Sequence, residues 1–377
     1  MRILTLIHEF PPIGGGGGRA AYDICSELAA RGHDVTVLTA HMDGLPLEEM
    51  QDGFKLIRIR SRRTETFAAS FSTMLSFDLA GLWAGLAFIW RSRPDVIHTH
   101  FAVPAGALAF TLSLLTGVPY ILTAHLGDVP GGVPEKTDYW FRWIKPFTRP
   151  IWKRAKQVVA VSEFTRQIAL KRYPVDIRVI PNGADFTHLI TEHIEVNKTP
   201  NIVFAGRFVT QKNTLAIVRV LSTLKDLSWV CTMLGDGPMF DEVKAEIEKH
   251  GMSERFVLRG WVTPSDVLKE FSKGDILFMP SLSEGLPIVG VDALVKGLAI
   301  VASKIGGFLD LVDPEKNGYL IELHDEAAFS SALRKLLSNR EQLAQFRRAS
   351  LEKAKDFDIE KIADQYEAIM QDVAKKD

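Results

Sequence analysis

The sequence predicts an α/β protein of two doubly wound domains, each a parallel β-sheet with helices on both faces. Three observations carry this expectation. Short β-branched runs alternate with longer amphipathic segments along the chain, the pattern of a parallel sheet covered on both sides. The candidate strands number thirteen, too many for one ordinary sheet. A polar, proline-bounded stretch, Pro181–Pro200 (PNGADFTHLITEHIEVNKTP), divides them into two sets.

In the first set the strands are Ile3–Ile7, Val35–Thr39, Phe54–Ile59, Val96–His98, Tyr120–Thr123, Val158–Val161 and Arg178–Ile180. In the second they are Ile202–Ala205, Trp229–Leu234, Phe256–Leu258, Ile276–Met279, Ala299–Ala302 and Tyr319–Ile321. The first helix shows its period in Ala20/Ala21, Ile24/Cys25 and Leu28, and Gly32 follows as a stop. The expected domains are 1–180 and 201–355, joined by a linker at 181–200. A charged C-terminal helix, about 356–377, is expected to pack back on the first domain.

Composition narrows the function. The chain has 377 residues, 46% of them hydrophobic and 24% charged, which fits two ordinary globular domains. A net charge of −1, from 45 Lys+Arg against 46 Asp+Glu, lacks the basic field that nucleic-acid binding needs. The two cysteines, Cys25 and Cys231, lie in separate apolar segments, which suits reduced core residues and a cytoplasmic setting. The stretch MRILTLIHEFPP has too short an apolar run for a signal peptide. The apolar segment Phe67–Trp90 carries Asp78 near its middle, which argues against a membrane span.

Ligands of open parallel sheets bind at the carboxyl ends of the strands, so the residues after each strand are the candidates. His8 and Glu9 precede five glycines, Gly14–Gly18, which open the first helix. Bare amides there can meet an anion. The run is a poor dinucleotide fingerprint, because counting from Gly14 puts Arg19 where the third glycine belongs. That weakens an NAD-dependent dehydrogenase reading. His100 and His125 follow the fourth and fifth strands, and His98, inside its strand, reads as a core histidine. In the second half, Gly206 and Arg207 follow a strand, with Lys212 five residues beyond the arginine. Two cations at a strand end suit a diphosphate, although solvated surface charges would look the same. In PSLSEGLPIVGVDALVKG, Glu284 sits in a small-residue loop and Asp292 in an apolar helix. Carboxylates avoid apolar surroundings unless something pairs with them, although Glu284 as a helix cap and Asp292 as a surface helix charge remain open. Polar loops at one edge of each sheet, facing each other, would line a central cleft.

These residues fall in a recognisable order. The motifs PPIGGGGG, ELAARGHDVTVLTA, DVIHTHFAVPAG, VPYILTAHLGD, VVAVSEFTR, VIPNGAD, FAGRFVTQKN, LGDGP, FVLRGWV and SEGLPIVGVDAL together resemble the retaining glycosyltransferases of family 4, whose two Rossmann-like domains form the GT-B fold. The resemblance covers nearly the whole chain. It implies a nucleotide-diphosphate sugar as donor and a glycan or lipid-linked acceptor. Glu284 matches the first position of the family's Glu-x7-Glu motif, which touches donor-sugar hydroxyls. Asp292 stands where the family usually has a glutamate that holds the ribose, and it is one methylene shorter. The resemblance further implies that Arg207 and Lys212 neutralise the diphosphate and that Gly15 and Gly16 approach the phosphate. It places His125 near the transferred sugar and Asn182 at the hinge. Gly206, Gly285, Leu286, Pro287 and Ile288 then line the donor site, and the backbone at Trp261-Val262 reads the base. No predicted strand is followed by the Asp-x-Asp signature of metal-dependent transferases, so no metal or other cofactor is expected.

Two alternatives share the fold: a nucleotide-sugar epimerase and an inactive family member acting as a scaffold. The segment Tyr139–Lys156 interleaves aromatics with cations, as interfacial helices do. With RIRSRR (58–63) and the apolar stretch to Trp90, it suggests peripheral contact with a membrane's inner face. A packed helix with snorkelling cations is the plainer reading.

Overall fold

The computed structural model describes residues 1–66, 69–133, 144, 146–186 and 194–375. The chain divides into two compact units, Met1–Gly183 with Ile359–Asp377, and Ala184–Asp358.

In the first unit the elements in chain order are β1 (Arg2–Leu6), α1 (Gly16–Ala30), β2 (Asp34–Ala40), β3 (Glu48–Gln51), β4 (Phe54–Ile59), α2 (Phe71–Ser92), β5 (Val96–His100), α3 (Ala105–Thr116), β6 (Tyr120–Ala124), α4 (146–154), β7 (Gln157–Ala160), α5 (Glu163–Leu170) and β8 (Ile177–Val179). The eight strands lie in the order β3-β4-β2-β1-β5-β6-β7-β8. All neighbours run parallel except β3 with β4.

Side chains of a strand alternate between faces, and β1 shows why the sheet must be covered twice. Leu4 and Leu6 join one buried cluster, with Phe77, Leu108 and Trp152. Ile3 and Ile7 join the other, with Ile24, Leu28 and residues of the C-terminal helix. Two differences from the expected strands have local causes. The edge strand β3 was not expected, because EEMQ has no apolar run. Its signal is the Asp52-Gly53 pair, both at positive φ (44° and 86°), which closes a tight hairpin to β4. Strand β5 runs on to His100, because a buried polar residue stays in the ladder when its partners are also buried.

The second unit contains β9 (Asn201–Ala205), α6 (Thr214–Ser222), β10 (Val230–Leu234), α7 (Phe240–Lys249), β11 (Phe256–Leu258), α8 (Pro264–Phe271), β12 (Ile276–Met279), α9 (Ile288–Val295), β13 (Ala299–Ser303), α10 (Phe308–Leu311), β14 (Gly318–Ile321), α11 (Glu326–Ser338) and α12 (Arg340–Ala354). Its six parallel strands lie in the order β11-β10-β9-β12-β13-β14.

The unit boundaries differ from the expected 180 and 201. Ala184 already belongs to the second unit, where its N–H donates to the Phe357 carbonyl at 2.9 Å. The far end of the expected linker is fixed too. Asp275 accepts hydrogen bonds from the Asn197 and Asn201 amides and from Arg347 Nη1 at 2.5 Å. Residues 187–193 of that linker lie outside the described residues. The last helix, α13 (Ile359–Ala374), returns to the first unit and lies on α1. Its Asp364 and Glu367 both meet Arg31, at 2.6 and 3.2 Å.

Candidate active site

In the second unit the strand ends gather around Glu284. Residues Thr210–Lys212 form a single 3-10 turn that is zipped onto the 280–284 loop. Leu282 N–H donates to the Gln211 carbonyl at 2.8 Å, Gln211 Nε2 donates to the Ser283 carbonyl at 2.9 Å, and Asn213 Nδ2 donates to the Pro280 carbonyl at 3.2 Å. This lacing brings Lys212 Nζ to 2.6 Å from Glu284 Oε1, with the side chains only 15% and 7% exposed. An ion pair so shielded is held firmly, since neither charge is solvated on its own. The ammonium keeps two further donors and the carboxylate a second oxygen for a ligand.

The walls of this site are backbone. Gly306 has φ +46°, and a Cβ there would stand 1.7 Å from the Glu284 carbonyl oxygen; one on Gly307 would stand 2.0 Å from that of Gly285. No other residue fits. These two glycines were not among the expected site residues. Their signal is their place in the loop that follows β13, at the same carboxyl edge as the other candidates. Pro287 is the N-cap of α9, and no side chain caps the helix, so the amides from Ile288 onward face outward at its positive end. Gly285 is half-buried, while Leu286 and Pro287 are buried.

Gly206 directly follows β9, and a Cβ built on it would lie 3.5 Å from Lys212 Cε. Arg207 is the next residue, half-buried, at the same strand end. Gly235 N–H donates to the Gly260 carbonyl at 2.7 Å, which ties the Trp261-Val262 loop to the end of β10. Trp261 is exposed and Val262 half-buried. Asp292 lies half-buried on α9. Its charge acts on Lys296, one turn on, whose own charge is weakened chiefly by burial.

In the first unit the glycine run wraps Glu9. A Cβ on Gly14 would meet the Glu9 side chain at 2.5 Å, and one on Gly18 the Glu9 carbonyl at 2.7 Å. Gly15 is the N-cap of α1 and Gly16 its first residue; both are exposed, and no side chain caps the helix. Asn182, at this unit's last turn, is buried.

His125 is held by Asp128, a residue the sequence showed only as part of a loop. One Asp128 oxygen accepts the His125 N–H and the other the Ala102 N–H, both at 2.8 Å. Phe101 stacks on the imidazole with centroids 4.3 Å apart. His125 Nε2 lies 3.4 Å from His100 Nδ1. His98 continues the row toward Thr123, 2.9 Å from its Nε2, and Thr123 meets Tyr366 at 3.1 Å. Burial lowers the pKa of His125 to about 4, and burial with neighbouring positive groups lowers His8 and His98 to about 3. His100 is lowered in the same way. Near neutral pH His125 is therefore an uncharged imidazole, able to make a hydrogen bond but not to neutralise a phosphate. Burial raises Asp128 to about 7, against the amide bonds that favour its charge.

Of the expected residues, the structure brings Lys212 to Glu284 and Gly206 beside Lys212 in the second unit, and sets His125 against Phe101 and His100 in the first. The family described as Glycosyltransferase Family 4 matches residues 14–188, and that described as Glycosyl transferases group 1 matches 186–353. An Escherichia coli UDP-Gal:alpha-D-GlcNAc-diphosphoundecaprenol alpha-1,3-galactosyltransferase is 27% identical over 68% of this chain and 70% of its own length. A Streptomyces fradiae 2-deoxystreptamine N-acetyl-D-glucosaminyltransferase is 26% identical over 81% and 78%. Among solved structures, sucrose-phosphate synthase from Thermosynechococcus elongatus superposes with a TM-score of 0.85 at 18% identity, covering 100% of both chains. Anabaena HepE in complex with UDP does so at 0.76 and 15%, covering 99% of this chain and 100% of that one.

Proposed function

Because the chain belongs to the group 1 glycosyltransferases of the GT-B type, which use nucleotide-sugar donors, we propose that it moves a hexose-type sugar with retention of anomeric configuration, without a metal. We further propose a glycan or lipid-linked acceptor and a cytoplasmic site of action. The observation that carries the reading is the shielded Lys212–Glu284 pair beside the uncapped start of α9.

In this reading the donor diphosphate lies against Arg207, Lys212 and the amides that follow Pro287. As the bond from the anomeric carbon to phosphate oxygen lengthens, negative charge grows on the phosphate. Fixed cations and amides stabilise that charge without reorganising. The acceptor oxygen attacks from the same face and its proton passes to the departing phosphate, so configuration is kept and no protein base is consumed. Glu284 orients the sugar through its hydroxyls, and neutral His125 adds a hydrogen bond. Asp292 reaches toward the ribose, and the Trp261-Val262 backbone reads the base.

The E. coli relative is named for a diphosphoundecaprenol acceptor, which favours envelope polysaccharide or glycolipid assembly. The transferase relatives disfavour the epimerase alternative. The test is a thermal-shift panel of UDP, GDP, ADP, TDP and NAD without metal, followed by transfer assays with chelator and determination of the product anomer. A shift with one nucleoside diphosphate and chelator-resistant transfer with retention is expected. Inversion, or activity that returns only with a divalent ion, would overturn the finer claims.

A further inference from the structure

Helix α2 is apolar on the side that faces away from the protein. Its inner stripe, Thr73, Phe77, Gly81, Gly85 and Ile89, repeats every four residues and is buried. The two glycines let it sit close, since a Cβ at either would come within 2.7 Å of Leu108 or Leu112 on α3. The opposite stripe should be polar on a surface helix. Instead it presents Phe71, Leu75, Leu79, Trp83 and Trp90, the two tryptophans 77% and 71% exposed. Gly81 over Leu108 and Gly85 over Leu112 make α2 and α3 run side by side in the same direction, and exposed Leu114 and Leu115 close the patch at α3's last turn.

The chemistry around the patch identifies its partner. Along Phe71–Ser92 the only ionisable residues are Asp78 and Arg91. Burial raises the Asp78 carboxyl to about 8, so it carries a proton near neutral pH. Exposed cations flank both ends: Arg60 and Arg62 before the helix, Arg91 in its last turn and Arg93 just after it. Exposed Lys153 and Arg154 extend them, and Arg154 Nη2 donates to the Ser113 carbonyl at 3.2 Å beside the leucines. Two copies meeting through this face would bring cation against cation. An anionic lipid surface supplies the opposite charge, an apolar layer and the boundary that tryptophan favours. The helix is long and apolar enough to cross a membrane, but its packed inner stripe holds it flat on the sheet.

We propose that the outer face of α2, with the last turn of α3, docks on an anionic bilayer by inserting its apolar side chains while the flanking arginines and lysines bind headgroups. The proposal rests on the reading of a membrane-side acceptor and names the surface for it. Part of the sequence segment first singled out for this role, residues 139–143 and 145, lies outside the described residues; the face argued here does not need it.

The test is co-flotation of the full chain with vesicles of equal parts phosphatidylcholine and phosphatidylglycerol, and with phosphatidylcholine alone. Flotation with the anionic vesicles, weakened by salt, is expected. The double variant L79E/W83E should bind at least about tenfold more weakly. R91E/R93E should lose the preference for phosphatidylglycerol. Unchanged melting temperature and nucleoside-diphosphate shift establish that the variants are folded. Absence of flotation, or flotation indifferent to L79E/W83E, overturns the proposal, as does a vesicle-free dimer in light scattering that L79E/W83E dissolves. A chain that floats but shifts with no nucleoside diphosphate counts against the donor reading alone. One that shifts but does not float counts against the docking face alone.

Discussion

Lys212 and Glu284, 72 positions apart in sequence, form an ion pair of 2.6 Å at the carboxyl ends of β9 and β12. Because both are largely shielded, removing one strands the other. Lys212→Ala is expected to lower stability by about 3–5 kcal/mol and turnover by about 10²-fold or more. Glu284→Gln removes the charge but keeps the shape and should cost less stability. The double variant should then recover about 0.5–3 kcal/mol relative to the sum of the two. Denaturant unfolding and donor turnover give both readouts. Near-normal turnover in Lys212→Ala would remove it from the donor site.

Gly306 tests whether backbone shape holds Glu284 in place. A Cβ there would stand 1.7 Å from the Glu284 carbonyl oxygen at a φ of +46°, so Gly306→Ala must push the loop aside. A loss of about 2 kcal/mol or more and a clear rise in donor KM are expected. Gly127→Ala, where nothing lies within 4 Å, serves as the neutral comparison. Equal behaviour of the two would show that the loop yields without consequence.

Asp292→Glu adds one methylene on a half-buried face of α9. If the shorter side chain limits ribose contact, the variant should bind its nucleoside diphosphate several-fold more tightly with little change in turnover. Isothermal titration decides this. Weaker binding would mean that Asp292 is matched to its present partners and that the ribose is held elsewhere.

The buried titratable groups of the first unit predict a stability maximum. His8, His98, His100 and His125 have depressed folded pKa values. Below pH of about 6.5 the unfolded chain protonates them first, and stability is lost as pH falls. Asp78 and Asp128 are raised to about 8 and about 7, so their contribution is complete below pH of about 4 and is lost as pH rises toward 7–8. Near pH 5 the four histidines outnumber the two carboxyls, so the unfolded state binds more protons and stability rises with pH there. Urea unfolding at pH 5, 6.5 and 8 should therefore show the highest stability at the middle value. A monotonic rise to pH 8 would mean that the two carboxyls ionise freely in the folded state.

The alternation of apolar strands with amphipathic helices determined most of the fold, because a strand such as β1, apolar on both faces, can only lie in a doubly covered sheet. Most strand limits were legible to within about one residue for the same reason. The ordered motifs determined the family, and the strand-end rule singled out His125, Gly206, Arg207, Lys212 and Glu284 as candidates. What sequence could not supply was contact. Whether Glu284 capped a helix or paired with a distant cation depended on how the Thr210–Lys212 turn laced onto the 280–284 loop. Asp128 gained its role only when the fold placed two amides around it, and Gly306 and Gly307 when another loop pressed on them. The edge strand β3 carried too little apolar signal to be seen apart from its hairpin. The outer face of α2 shows the division most plainly. Its apolar composition was written in the sequence, but only packing decided which stripe Gly81 and Gly85 would bury, and therefore that Leu79 and Trp83 face outward.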